Sequence, residues 1–220
     1  MQTRPPSVPK APTPILRGPL RDWANRVKWG AYAPRAQERI WIDPRAVTSV
    51  YTRNPAVTPD FRRRHSGMVI AGDWDMQTEP IDQSWKIAAC LGRYRDGLSW
   101  EETGVYDRMM QVITERGSFD GCHTLDDVKA RYAKIDTLFE AIETAGYADH
   151  SVTSFGTTRL PEGVFIHIDR DGDAIFGAIG NHRMGIARAL GLDRIPAQLG
   201  VVHPQALAQK ALATYRTAPA

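Results

Sequence analysis

Residues 163–203 constrain this chain more than any other stretch. Val164, Ile166 and Ile168 alternate with Phe165, His167 and Asp169, the period-two pattern of a strand. Asp171 and Gly172 supply tight-turn chemistry, and residues 174–179 read as the returning partner strand. Gly180 lets the chain reverse and Asn181 is a favoured N-cap, so residues 181–190 are predicted as a short helix carrying Met184, Ala187 and Leu190 on one side. Gly191 ends that helix, and Ile195 and Pro196 open a last strand through Val202. A hairpin, a helix and a further strand in one short run need a sheet with helices beside it, so the predicted class is α+β with a small mixed β-sheet.

The strand-to-helix turn is where chemistry is expected. His182 and Arg183 fall in the first helical turn, where backbone N–H groups are unpaired and the dipole end is positive. A cation there is unfavourable by ~0.3–1 kcal/mol, and helix formation does not ask for it. An anion does, because free N–H groups, an arginine fork and an imidazole then converge on one oxyanion. The competing reading pairs Arg183 with a carboxylate such as Asp169 or Asp193.

A second constellation is Asp73 and Asp75. Residues 67–72 read as a short buried strand, and on an extended continuation both carboxylates point to one side, able to approach a Mg²⁺ bridging phosphates, while Trp74 turns to the core. The alternative is a polar turn whose aspartates cap the next segment or pair with the arginines at 62–64. Those arginines are either a solvated run or a source of phosphate contacts. His167 is expected on a solvent-exposed face, His203 near the end of the last strand, and both as structural residues. Cys122 and His123 are adjacent without a second pair, which argues against zinc.

The middle of the chain reads as helical. Residues 84–95 form one helix. Ser99 and Glu102 make a capping box predicted to start a second, running to Arg116. Thr124 and Asp127 begin the longest, with Leu125, Val128, Tyr132, Ile135, Leu138 and Ile142 on its apolar face and Gly146 at its end. Toward the N-terminus, residues 1–20 hold six prolines and few large apolar groups, so they are expected to form a flexible, extended arm, docked by Trp23, Trp29 and Tyr32. Residues 39–42 form the first strand, ended by Asp43 and Pro44, with a helix or turn over 46–50. Residues 21–220 then make a single domain with a helical insertion at about 81–147, and residues 205–215 a C-terminal helix.

Net charge of +3 is too small to demand nucleic acid, although Arg4, Lys10, Arg17, Arg21, Arg26 and Lys28 crowd one end. Two cysteines cannot build a disulfide framework, and no apolar run spans a bilayer, so a cytoplasmic location without a membrane partner is expected.

The run Asp169-Arg170-Asp171-Gly172, then Ile179-Gly180-Asn181-His182-Arg183-Met184-Gly185-Ile186-Ala187-Arg188-Ala189-Leu190-Gly191 and Ile195-Pro196-Ala197, resembles the ParB/sulfiredoxin superfamily. Ile40-Trp41-Ile42-Asp43-Pro44 resembles its opening strand, and the whole looks like a ParB-like nuclease-domain branch of unassigned activity. The resemblance implies a ParB/sulfiredoxin-type sheet and nucleotide phosphates held at Gly180, Asn181, His182 and Arg183. Asn181 stands where sulfiredoxins carry their reactive cysteine, so sulfur-reducing chemistry is not implied. The His182-Arg183 pair is similar to that of members which phosphorylate free serine. The chain lacks recognisable counterparts of the helix-turn-helix and dimerisation region that partition proteins add. The expected function is therefore a Mg²⁺-dependent phosphotransferase acting on a small hydroxyl substrate, or a nucleotide hydrolase. In it Asp73 and His182 would be catalytic, Asp73 and Asp75 would hold the metal, and a nucleoside di- or triphosphate would bind at the turn. The rivals are a DNA-binding protein or nuclease and a nucleotide-switched regulatory module.

Overall fold

The computed structural model describes residues 17–52, 59–147, 160 and 163–218. The chain divides into two compact units: Met1–Ile81, Asp149–Gly180 and Asp193–Ala220 make the first, Asp82–Ala148 and Asn181–Leu192 the second.

The first unit carries a six-stranded mixed sheet, which places the chain in the mixed α/β class. Its strands are β1 (Arg39–Ile42), β2 (Ser49–Tyr51), β3 (Thr78–Pro80), β4 (Val164–Ile168), β5 (Ala174–Phe176) and β6 (Ile195–Val202). The spatial order is β1-β6-β4-β5-β2-β3, with β4 parallel to β6, β2 parallel to β5, and the remaining neighbours antiparallel. Every residue of β4 and β6 is buried, as expected of central strands covered on both faces. Residues 67–70 form no strand of the sheet but a single parallel bridge, Val69 to Val202, where β1 no longer flanks β6. The expected helix or turn over 46–50 is instead a turn at Asp43 to Ala46 followed by β2. Three helices complete the unit: α1 (Arg17–Trp29), α6 (Pro204–Ala208) and α7 (Leu212–Arg216). The extended arm is corrected at its C-terminal end, since residues 17–20 open α1. Gly18 and Pro19 fall in its first turn, where a missing N–H costs nothing. Residues 1–16 of that expected arm lie outside the described residues.

His167 is fully buried rather than exposed. It lies edge-on to Tyr51, Phe61 and Trp74 at 5.4, 5.3 and 5.8 Å and accepts the Val201 N–H at Nδ1, 3.1 Å away. Gly200 makes the room: a Cβ there would stand 2.2 Å from Nδ1. A β-bulge between Ile166 and Ile168 breaks the strand alternation that would place His167 on an exposed face. His203 caps α6 by accepting the Gln205 N–H, with Pro204 at its first position.

The second unit is helical: α2 (Trp85–Tyr94), α3 (Val105–Arg116), α4 (Leu125–Ala145) and α5 (Asn181–Ala189). Thr124 and Asp127 close a capping box on α4. Ser99 and Glu102 bond in the same reciprocal way, yet no helix starts there, because Gly104 at φ +71 breaks the path and α3 begins after it. The core joins Ala89, Cys90, Trp100, Met109, Val128 and Tyr132. Asp136 of α4 ties it to the C-terminal end of α2 and the loop that follows by accepting from Arg93, the Tyr94 hydroxyl and Trp100 Nε1. Burial, then the Asp136 charge, pushes the Cys90 thiol up to about 12, so Cys90 is an inert packing residue.

Candidate anion site

Two glycines that no other residue could replace without displacement position α5, one in the turn before it and one in the helix itself. Gly180 has φ +90, and a Cβ on it would meet the Gly163 carbonyl oxygen at 2.8 Å. Gly185 sits where α5 crosses α2, and a Cβ there would stand 2.6 Å from the Cβ of Cys90. Gly180 therefore occupies the cap position, and Asn181 is the first helical residue, one place later than its expected role as N-cap. The Asn181 amide is turned to α2, with the Ser84 hydroxyl 3.4 Å from its Oδ1. Ser84 precedes α2 and makes no side-chain cap bond there. This contact brings the N-termini of α2 and α5 together within one unit, so two positive dipole ends share one neighbourhood.

Charge accumulates around them. His182 is half-buried, its Nε2 3.5 Å from the Tyr132 hydroxyl and the two rings edge-to-face at 5.5 Å. Burial, followed by the positive charges of Lys86 and Arg131, drives its pKa down to about 4, with Asp120 acting in the opposite sense. Lys86 and Arg131 share the single Asp120 carboxylate, and Arg131 Nε is buried with no hydrogen-bond partner among the described residues. Two cations on one acid leave a positive surplus beside the helix ends. At neutral pH His182 is uncharged, which suits it to donate one hydrogen bond and not to deliver a proton.

Arg183 is half-buried in the same first turn. Among the described residues its guanidinium meets no carboxylate and makes no side-chain hydrogen bond. The two acids that sequence offers as its partners are engaged elsewhere in the first unit. Asp169 accepts the N–H groups of Asp171 and Asp173 at 3.0 and 2.8 Å, closing the β4–β5 hairpin, and Asp193 pairs with Arg45 at 2.7 Å.

No protein-family model, curated protein or solved structure matches this chain.

Asp73 and Asp75 belong to the first unit and stand differently from the expected extended pair. Residues Trp74–Met76 form a 3-10 turn, and Trp74 is buried as expected. Arg170 lies across both carboxylates. Its Nε and Nη2 reach Asp75 at 2.8 and 2.7 Å, Nη2 also reaches Asp73 at 2.8 Å, and its backbone N–H donates to Asp75. Asp75 is only 2% exposed; burial raises its pKa, but the Arg170 hydrogen bonds and charge outweigh that and hold it below the usual carboxylate range. A guanidinium thus occupies the position in which Mg²⁺ was expected, so these two residues do not fit a metal as they are placed. Among the described residues no group of three or more His, Cys, Asp or Glu side chains is arranged to hold a metal ion.

The arginines at 62–64 do not form one surface. Arg62 pairs with Asp60, while Arg63 turns inward to Gln198 and the Gly163 carbonyl. The residues that sequence reasoning missed are Lys86, Asp120 and Arg131, spread over α2, a loop and α4, and Arg170, hidden in a hairpin turn. Their separation along the chain left no local motif to find.

Proposed function

We propose that this protein binds a phosphate-bearing ligand, most plainly a nucleotide, at the start of α5. The backbone N–H groups of Asn181, His182 and Arg183 and the Arg183 guanidinium would contact the phosphate oxygens. The observation that carries this reading is Arg183 itself, a half-buried cation in the first turn of a helix with no acid to neutralise it among the described residues. Ser84, neutral His182 and the Lys86–Arg131 pair supply further donors and positive potential in the same unit. The likeness of the Gly180 to Arg183 turn to the ParB/sulfiredoxin superfamily supports nucleotide over other anions and would make the β4, β5, α5, β6 run a member of that fold type.

Phosphoryl transfer is the less supported extension. It would need Asp73 and Asp75 to leave Arg170 before either carboxylate could take up a metal. Binding without turnover, as in a nucleotide-switched module, is the form the geometry favours.

Titration calorimetry with ATP, ADP, CTP and GTP, with and without Mg²⁺, tests the reading. At least one nucleotide should bind in the micromolar range, and Arg183→Ala should weaken it by about 1.5–3 kcal/mol, the loss of a charged hydrogen bond. Equal binding by both proteins would remove Arg183 from the site. Binding of duplex DNA alone, weakening steeply with salt, would favour the nucleic-acid rival.

A further inference from the structure

Helix α1 is amphipathic in the inverted sense. Its polar residues face the protein: Arg21 donates to the carbonyls of Ser66 and Arg64, Asn25 to those of Pro34 and Gly67, and Asp22 accepts the Ala36 N–H at 2.7 Å. Its apolar residues face outward. Leu20, Trp23 and Val27 are 57%, 69% and 69% exposed, and Ala24 between them is exposed too. The spacing i, i+3, i+4, i+7 places these four on one stripe. At about 100° per residue, Arg26 and Lys28 fall on its two flanks. Both are exposed, and neither meets a carboxylate among the described residues. The expectation that Trp23 docks this segment onto the body is therefore reversed: the polar side holds the helix and the indole is displayed.

We propose that α1 docks the protein onto a bilayer carrying anionic phospholipid, with Leu20, Trp23 and Val27 entering the interface and Arg26 and Lys28 meeting phosphates on either side. The arrangement matches an interfacial helix, in which an apolar stripe with an aromatic residue lies between cations at headgroup depth. A half-open cavity of about 360 Å³ beside it is lined by Asp22, Trp23, Arg26, Arg35 and Arg216; Arg35 and Arg216 are both paired with Glu38, so Arg26 is the cation that the cavity leaves for a headgroup. Charge decides among occupants. A second copy of α1 would set Arg26 and Lys28 against the same cations. Residues 1–16 contain Arg4 and Lys10 and no acid, so they cannot neutralise the flanks. An anionic bilayer offers negative charge on both sides of the stripe at once. Surface docking needs no spanning helix, and among the described residues no helix is long and apolar enough to cross a membrane. Membrane docking through α1 reverses the expectation of no membrane partner and does not depend on nucleotide binding at α5.

Co-sedimentation of the full chain with vesicles tests it. Vesicles of phosphatidylcholine with phosphatidylglycerol should bind the protein, salt should weaken the binding, and phosphatidylcholine alone should bind it poorly. Trp23→Ala should reduce partitioning at least about tenfold. Arg26→Gln and Lys28→Gln should each reduce it about fivefold. Circular dichroism melting should be unchanged in all three, since the side chains are exposed. Failure to bind either vesicle, equal binding by the variants, or a Trp23-dependent dimer in sedimentation velocity would overturn the proposal.

Discussion

Arg170 and Arg183 are the same residue type in opposite circumstances. Arg170 spans two carboxylates, one of them buried, and also donates to the Gly72 carbonyl. Arg183 stands at the positive end of a helix with no acid beside it among the described residues. The first arrangement closes a hairpin onto a 3-10 turn and is complete without a ligand. The second lacks a counter-charge among the described residues, and an external anion would complete it. A guanidinium therefore reports a site only together with an account of which carboxylates are already on it.

The largest effect that separates these regions is on stability. Asp75→Ala should cost about 3 kcal/mol, the low end for a broken buried pair because Arg170 keeps some solvent contact. Arg183→Ala should barely change the denaturation midpoint while weakening nucleotide binding. A reversal, with Asp75 tolerant and Arg183 essential for folding, would make Arg183 the structural arginine and leave Arg170 without that role. Next in size is Gly185→Ala, where the added methyl meets Cys90 and should destabilise by about 1–3 kcal/mol in the same assay.

The pH dependence sharpens the contrast. Asp75 has a depressed pKa in the folded protein, so its contribution is present above the unfolded carboxylate value and is lost as pH falls through the folded one. Asp75→Asn should flatten that acid limb of a chemical-denaturation series. His182 is also depressed, from 6.5 to about 4. The unfolded chain takes up its proton first, so stability falls between those two values as pH drops, and His182→Gln should remove that part of the slope. The smallest expected effect is for Trp23→Ala, within about 0.5 kcal/mol of the parent stability, as for an exposed side chain.

Local signals were legible where one short stretch contains all that it needs. The Thr124–Asp127 box with its apolar stripe gave α4, Asp171 and Gly172 gave the hairpin, and Gly180 and Gly191 bracketed α5. The same grammar misled where a distant contact or a single dihedral decides. Gly104 turned the Ser99 box into a loop, and a bulge with Gly200 buried His167. The candidate site was half legible for the same reason. Asn181, His182 and Arg183 are contiguous, but Arg170 meets Asp75 across 95 residues of sequence, and Lys86, Asp120 and Arg131 gather only when α2 and α4 fold. Helix α1 was not expected, because the prolines before it pointed to an extended arm, and its orientation is set by polar contacts with residues 34–36 and 64–67 that lie further along the chain.

The most direct measurement is a titration of ¹⁵N-labelled protein with nucleotide, followed through the backbone amides of Asn181, His182 and Arg183. Saturable shifts are expected at these three amides with the parent chain, and should be lost with Arg183→Ala while the rest of the spectrum is kept. Saturable shifts elsewhere with these amides unmoved, or identical shifts in the variant, would contradict it.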